Sequence, residues 1–259
     1  MAASTTQENI FYVGDVLRDH TPYLVDMLGD TVTNGAFDSW EVSELIEAKA
    51  PDHEHPAPRI PDAVTLEAIH QAAYGDRTLG RSVSPQASHA QSFDHITPAL
   101  LQEYAATYYQ PGRMVVGAVG VDHARLVDLV QRAFGHLKPG APVAKEPAEY
   151  VGGEVRSGYD SEDGLAHFAV ALQAPSLNDA DLMPLCVLQM MLGGGLSFSA
   201  GGPGKGMHSR LYERVLNRWG WAHSANCFTS LFTDSALFGA CWCRHATPGV
   251  SVLCGSRSF

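Results

Sequence analysis

Residues 193–214 read GGGLSFSAGGPGKGMHSRLYER, and the organisation of the rest of the chain is best understood from this stretch. Seven glycines and one proline fall between Gly193 and Gly206. Glycine reaches backbone angles that other residues avoid and lets a second chain approach closely, so this composition excludes a regular helix or an ordinary strand. We therefore predict a long loop, and a loop of this length inside a compact domain is typically functional.

Two apolar helical patterns flank the predicted loop. Residues 181–192 precede it, and residues 207–219 follow it with an apolar face and a row of arginines at four-residue steps. A loop held between two packable helices is tethered at both ends. Its composition favours a mobile segment that recognises an extended peptide through its backbone.

Two other interpretations of the loop fail on its residues. A Walker phosphate loop requires Gly, four further residues and Gly-Lys-Ser/Thr, but Ser199 and Gly206 occupy the two end positions. A membrane span over residues 182–204 carries no formal charge, yet its glycine, serine and proline residues would leave backbone groups unsatisfied in lipid.

Composition limits the remaining function classes. The 259 residues are 45% hydrophobic and carry a formal net charge of −11, which disfavours a nucleic-acid binder and is compatible with a basic ligand. The five cysteines are odd in number and lack a C-x-x-C pair, so we expect reduced thiols and no zinc cluster. They are Cys186, Cys227, Cys241, Cys243 and Cys254.

Periodicity and capping residues predict an α/β fold of the α+β type. Helices are expected at 21–34, 38–51, 62–73, 97–109, 124–134, 179–192 and 207–219. Strands are expected at 9–13, 113–121, 151–159, 166–172, 222–232 and 236–242, of which 113–121 is the strongest because it is a continuous apolar run. Residues 139–147 form a proline-containing linker and a candidate domain boundary.

Several segments carry a resemblance to a known family. Residues 187–217, VLQMMLGGGLSFSAGGPGKGMHSRLYERVLN, resemble the glycine-rich segment of the alpha branch of the mitochondrial processing peptidases, within the pitrilysin-like metallopeptidase family. The similarity extends through EAIHQAAY (67–74), YYQPGRMVVGAVGVDHARLVDL (108–129) and EYVGGEVR (149–156), and plant and algal members are nearest. Leu196 is a departure, since the family usually has a fourth glycine there. The similarity stops near Cys241, so we expect a fragment of a longer fold.

The resemblance implies a fold and a binding role. It implies two homologous halves, each a mixed, mainly antiparallel sheet packed with helices, with residues 1–147 as the latter part of the first domain and 148–259 as the beginning of the second. It also implies presequence recognition by the loop for cleavage by a catalytic beta subunit. The implied contact residues are Gly193, Gly194, Gly195, Ser197, Phe198, Gly201, Gly202, Gly204, Lys205 and Gly206.

The zinc motif of the active family members, H-x-x-E-H, is missing from this chain. The nearest match is PDHEH at residues 51–55, where Pro51 stands in place of the first histidine. Glu47, or less plausibly Glu44, matches the third zinc ligand by position, but a carboxylate on an amphipathic helix is also an ordinary solvated residue. We therefore expect no cofactor in this chain and zinc in the beta partner.

The resemblance leaves three functions open. The first is a non-catalytic alpha subunit in the mitochondrial matrix that is also a matrix-side core subunit of respiratory complex III, without a transmembrane span. The second is a purely structural core protein of that complex. The third is an active zinc peptidase whose motif lies upstream of residue 1.

Overall fold

A computed structural model describes residues 1–49, 61–83, 95–141, 143–157, 165–196, 208–245 and 252–257. The helices in chain order are α1 (Thr21–Thr33), α2 (Ser39–Lys49), α3 (Pro61–Tyr74), α4 (Pro98–Tyr108), α5 (His123–Phe134) and α6 (Leu182–Leu192). The strands are β1 (Ala2–Thr5), β2 (Ile10–Val13), β3 (Gly153–Ser157), β4 (Leu165–Ala174), β5 (Gly194–Leu196), β6 (Ala222–Leu231), β7 (Ala236–His245) and β8 (Val252–Arg257). Among the residues described, no helix is both long and apolar enough to cross a membrane.

The first of two compact units is drawn from Met1–Asp52 and Ala90–Lys145. Its strands β1 and β2 form an antiparallel pair, and α1 packs against α5. Local capping explains its helices: the Thr97 side chain accepts a hydrogen bond from the Leu100 amide at the start of α4, and Asp122 does the same for Arg125 at the start of α5. Both helix starts were predicted from the sequence and are confirmed.

The second unit is drawn from His53–His89 and Glu146–Phe259. It contains a six-stranded sheet in the order β3-β8-β4-β7-β6-β5, in which β4 and β8 are parallel and the other pairs antiparallel. The predicted mixed, mainly antiparallel sheet packed with helices is thereby confirmed. Helix α3 lies on this sheet, and its fully buried Ile69 and Ala73 join Ala171 and Leu237 in one apolar core.

Backbone and hydroxyl hydrogen bonds fix α3 on the sheet. The carbonyl of Ala73 accepts from the amides of Val151 and Gly152 at 2.8 and 3.1 Å, just before β3 begins. The hydroxyls of Tyr74 and Ser235 are hydrogen-bonded at 2.8 Å inside the core. These contacts place residues 61–83 with the second unit. Domains divided at residues 147 and 148 remain a prediction, because the compact units follow contacts rather than homology.

The prediction of a strand over residues 113–121 is wrong. The structure has a short 3-10 turn at Pro111–Arg113 followed by irregular chain, and the side chains of Val115 and Val119 are 96% and 101% exposed. No strand of the described residues pairs with this run. A buried strand needs hydrogen-bonding neighbours and a covering layer, which an apolar sequence by itself does not supply.

Candidate peptide-binding site at the glycine-rich segment

Helix α6 ends at a glycine whose backbone only glycine adopts readily. Gly193 has φ +54° and ψ −139°, and its N–H donates to the carbonyl of Gln189 at 2.7 Å. Its own carbonyl accepts from the amide of Cys227 at 3.0 Å. Because Cys227 lies on β6, this bond joins the end of the helix to the sheet. The first predicted contact residue is therefore held from both sides.

The next three residues form an edge strand. Strand β5 pairs antiparallel with β6 in the register Gly194↔Asn226, Gly195↔Ala225 and Leu196↔Ser224. The prediction that the glycine-rich run contains no strand is wrong here, because β6 offers a partner and glycine permits close pairing. The segment beyond Leu196 was predicted to be a loop, and it lies outside the described residues until His208.

The pairing leaves one side of β5 open. Hydrogen-bonded residues alternate along an antiparallel ladder, and the bond between Gly193 and Cys227 sets the phase. The backbone N–H and C=O groups of Gly194 and Leu196 consequently point away from β6. β5 is the last strand of the sheet, and no described strand pairs with its outer side. Such an edge can accept an extended peptide as a further strand.

The chain returns beside the point from which it left. A Cβ atom built on Gly193 would lie only 2.5 Å from Cβ of Ser209, so the Gly193 backbone and the Ser209 side chain are in direct contact. Ser209 is buried, and its Oγ accepts from the amide of Tyr212 at 3.4 Å. Residues 193 and 209 are thus fixed side by side, which closes the glycine-rich segment between two anchored ends.

The helix predicted at residues 207–219 is shorter and wider than expected. It contains a π-helical stretch at Tyr212–Leu216, and Leu216 is buried against Ala222 and Ala225 at the start of β6. The predicted arginines Arg210 and Arg214 are exposed, as the amphipathic pattern indicates. This stretch anchors the returning end of the segment through its apolar side.

Of the ten predicted contact residues, three are described and lie together. Gly193, Gly194 and Gly195 form the continuous stretch from the end of α6 into β5. The others lie outside the described residues, namely Ser197, Phe198, Gly201, Gly202, Gly204, Lys205 and Gly206. Sequence reasoning missed Ser209 and Cys227 as neighbours of Gly193, since neither carries a motif. The only signal for Ser209 is its position at the start of the next helical pattern.

Burial shifts the pKa of three titratable groups near the sheet. Burial raises the pKa of the Cys227 thiol to about 11, with a further contribution from Cys241, which makes it a poor nucleophile at neutral pH. Burial likewise raises the pKa of Tyr74 to about 12, although its hydrogen bond to Ser235 opposes the shift. Burial lowers the pKa of His70, against opposing contributions from the Leu66 carbonyl and Glu67. Cys227 and Tyr74 therefore remain protonated at neutral pH.

A small cavity of about 120 Å³ lies between α3 and the sheet and was not foreseen from the sequence. Leu66, Phe168, Phe228 and Trp242 are apolar residues in its lining. Its volume holds a few waters and is well below the several hundred cubic ångströms of a typical ligand pocket. The open edge of β5 is therefore the better candidate site.

The residues that the structure describes do not fit a catalytic zinc ion. The described residues contain no group of three His, Cys, Asp or Glu side chains that could hold a metal. Glu44 and Glu47 lie on the exposed side of α2, and His53, Glu54 and His55 fall outside the described residues. We derive no zinc-dependent step for this chain, and the expected absence of a cofactor remains a prediction.

Comparison with known proteins identifies relatives of both halves of the chain. The family model for the "Peptidase M16 inactive domain" matches residues 95–243, and the model for "Insulinase (Peptidase family M16)" matches residues 1–86. The mitochondrial-processing peptidase subunit alpha of Solanum tuberosum is 37% identical over 242 residues, covering 92% of this chain and 46% of the relative. The probable subunit alpha-1 of Arabidopsis thaliana is 38% identical over 243 residues, covering 93% and 47%. The chain thus spans about half the length of these relatives.

Solved structures share the fold at low sequence identity. A crystal structure of a peptidase M16 inactive domain from Pseudomonas fluorescens superposes with a TM-score of 0.67 at 15% identity, covering 88% of this chain and 52% of that chain. A chain of Complex III2 from Candida albicans gives a TM-score of 0.65 at 17% identity, covering 89% and 54%. At these identities the likeness shows the fold alone.

Proposed function

Because the chain belongs to the peptidase M16 family, we propose that it is a non-catalytic, alpha-type subunit of a mitochondrial processing peptidase. The identity of 37–38% to alpha subunits of two plants supports this assignment. It is also supported by the match of residues 95–243 to the inactive domain of the family. The location that follows is the mitochondrion, and we propose the matrix as its compartment.

The proposed role is recognition of presequences by residues 193–206. The observation that carries it is the outer edge of β5, where the backbone groups of Gly194 and Leu196 point away from β6. A peptide in extended form adds to such an edge by main-chain hydrogen bonds, which tolerate variation in its side chains. Glycines at 193–195 remove side chains that would hold the peptide backbone at a distance. Phe198 and Lys205 would add an apolar contact and a donor.

Cleavage is assigned to a partner. We propose that a zinc-containing beta subunit carries out the hydrolysis and that this chain presents the presequence to it.

A matrix-side core subunit of respiratory complex III is the second candidate role. A chain of Complex III2 has the same fold, with a TM-score of 0.65, so the fold is compatible with this role. The two roles are compatible, because peptide recognition uses the edge of one sheet and leaves other surfaces for assembly. Native gel separation of the parent mitochondria tests this role: migration of the chain with cytochrome-containing complex III is expected. Exclusive migration as a smaller soluble species would refute it.

Reconstitution tests the main proposal. The purified chain alone should leave a presequence-bearing substrate uncut, and the beta-type partner alone should cut it poorly, whereas the mixture should cut it efficiently. A mixture containing the Gly194→Pro variant is the informative control, because the Gly194 N–H points away from β6, whereas Gly195 is bonded to it. Proline removes the Gly194 donor and stiffens the edge, while assembly with the partner is followed by size-exclusion chromatography. Equal cleavage by the partner with and without this chain would contradict the proposal.

A further inference from the structure

Helix α6 is apolar on all sides, unlike a typical surface helix. Its sequence LMPLCVLQMML contains no charged residue, and its one polar side chain, Gln189, is partly buried. The side chains of Met183, Val187 and Met190 are 70%, 57% and 83% exposed. A helix that is apolar on all sides is normally covered on all sides. Among the described residues, β6 contacts one side of the helix, where Leu185 is buried.

The exposed side chains form one continuous stripe. Residues 183, 187 and 190 are spaced i, i+4 and i+7, so they share a face along the length of the helix. Leu188 and Met191, which are 39% and 44% exposed, widen that face. We call these five residues the α6 stripe. Eleven residues of helix make it about 16 Å long, which matches about three turns of a partner helix.

The charges around the stripe specify the kind of partner. Across residues 165–196 the only Asp, Glu, Lys or Arg side chains are Asp179 and Asp181, both exposed just before α6 begins. At the other end, the exposed Arg210 follows Ser209, which touches Gly193. Two acidic side chains therefore precede the stripe, and a basic side chain follows the residue that contacts its other end. A partner with an apolar face and basic residues fits when its basic end lies over the two aspartates.

We propose that the α6 stripe binds the apolar face of a basic amphipathic helix in the targeting peptide, an inference that rests on the proposed recognition of presequences. Transit peptides of mitochondria are amphipathic, rich in arginine and poor in acidic residues. Methionine side chains are flexible and polarisable, so a methionine-rich face accepts many different apolar sequences. Helix α6 leads directly into Gly193 and β5, so a helical part on the stripe and an extended part on the β5 edge belong to one peptide.

The methionine methyl groups provide a direct test in the full 259-residue chain. The chain has seven methionines, of which Met183, Met190 and Met191 belong to the stripe and Met1, Met27 and Met114 lie in the other compact unit. The probe is a synthetic peptide of about 15 residues built from Leu, Ser, Ala and Arg with helical amphipathic spacing. Its addition to protein labelled with carbon-13 at the methionine methyls should shift the signals of the stripe and leave that of Met114 in place. A peptide of the same composition in scrambled order should shift none of them.

Matched variants complete the test. The double variant Met183→Gln, Met190→Gln changes only exposed side chains, and it should weaken binding of the probe about tenfold or more by fluorescence anisotropy. Val151→Gln is the control, because Val151 is 67% exposed and precedes β3 at the opposite edge of the sheet. It should bind like the unmodified chain. Thermal unfolding of both variants establishes that they are folded.

The outcomes separate this inference from the proposed function. Binding that is equal in the double variant, or methyl signals of the stripe that stay in place, would overturn the inference and leave peptide recognition standing. If the unmodified chain binds no basic peptide, both this inference and the proposed recognition of presequences are contradicted. Light scattering could instead show that the unmodified chain is a dimer and the double variant a monomer. If the methyl signals of the stripe also fail to respond to the peptide, the stripe binds a second copy of the chain, and the inference is overturned.

Discussion

Replacement of Gly193 by alanine is expected to disrupt the junction of α6, β5 and the returning chain. This glycine has a φ of +54° and ψ of −139°, donates to Gln189 and accepts from Cys227. A methyl group there would lie 2.5 Å from Cβ and 2.9 Å from Oγ of Ser209. Both the backbone conformation and the space around the residue therefore oppose a side chain.

The expected magnitude follows from these two terms. A residue with a side chain held in this backbone region costs about 1–3 kcal/mol. Forcing a methyl group into a contact shorter than van der Waals distance adds about 1–3 kcal/mol. The free energy of unfolding should therefore fall by about 2–6 kcal/mol, unless β5 separates from β6 first and limits the loss to its own contribution.

Urea unfolding followed by tryptophan fluorescence measures the change, with Gly220→Ala as the matched control. A Cβ atom at Gly220 would meet nothing within 4 Å, and its φ is not positive, so this variant should change stability by less than about 0.5 kcal/mol. In the double variant Gly193→Ala, Ser209→Gly, the loss of stability due to steric overlap should be recovered. The loss due to the strained backbone of residue 193 should remain. If Gly193→Ala is as stable as Gly220→Ala, the described junction does not exist in solution.

Three further predictions concern the core, a buried histidine and the metal content. Truncation of the fully buried Leu237 to alanine should lower the free energy of unfolding by about 2–5 kcal/mol in urea titrations, and an unchanged value would contradict the packing of α3 on the sheet. Burial lowers the pKa of the His70 imidazole below 6.5, so the unfolded chain binds a proton at this residue more readily than the folded chain. The contribution of His70 to stability is therefore fully present above pH 6.5, and the free energy of unfolding should fall as pH drops through the folded pKa. The His70→Gln variant should lack this pH-dependent loss in urea titrations at different pH. Elemental analysis of the purified chain should find no stoichiometric zinc, and about one ion per chain would refute a non-catalytic subunit.

Local sequence signals predicted the elements whose causes are local. Helices α4 and α5 begin where Thr97 and Asp122 stand, because an N-cap side chain bonds to an amide only three residues away. Strands β6 and β7 were predicted within a few residues, since alternation and turn residues define a hairpin from the sequence alone. For the candidate site, the run of glycines in the sequence is the signal that indicated residues 193–195.

Features that depend on distant partners could not be predicted. Residues 114–119 have the composition of a buried strand but no described partner, whereas Gly194–Leu196 has the composition of a loop and pairs with β6. In each case the presence or absence of a neighbouring strand decided whether the segment became a strand. The sequence of the segment itself does not encode that neighbour. The contact of Gly193 with Ser209 and the packing of α3 on the six-stranded sheet are equally non-local.

The most direct test of the central claim is presequence binding by the heterodimer reconstituted with a beta-type partner. Affinity and thermal unfolding are measured for the full chain and for a form lacking residues 199–204. Loop closure changes slowly with length, so stability should change by only about 1 kcal/mol. Loss of several peptide contacts, each contributing about 1 kcal/mol, should weaken binding by about 2–4 kcal/mol, or roughly thirty- to a thousandfold. If the heterodimer that lacks residues 199–204 binds the presequence with unchanged affinity, the assignment of presequence recognition to the glycine-rich segment is contradicted, whether or not stability falls.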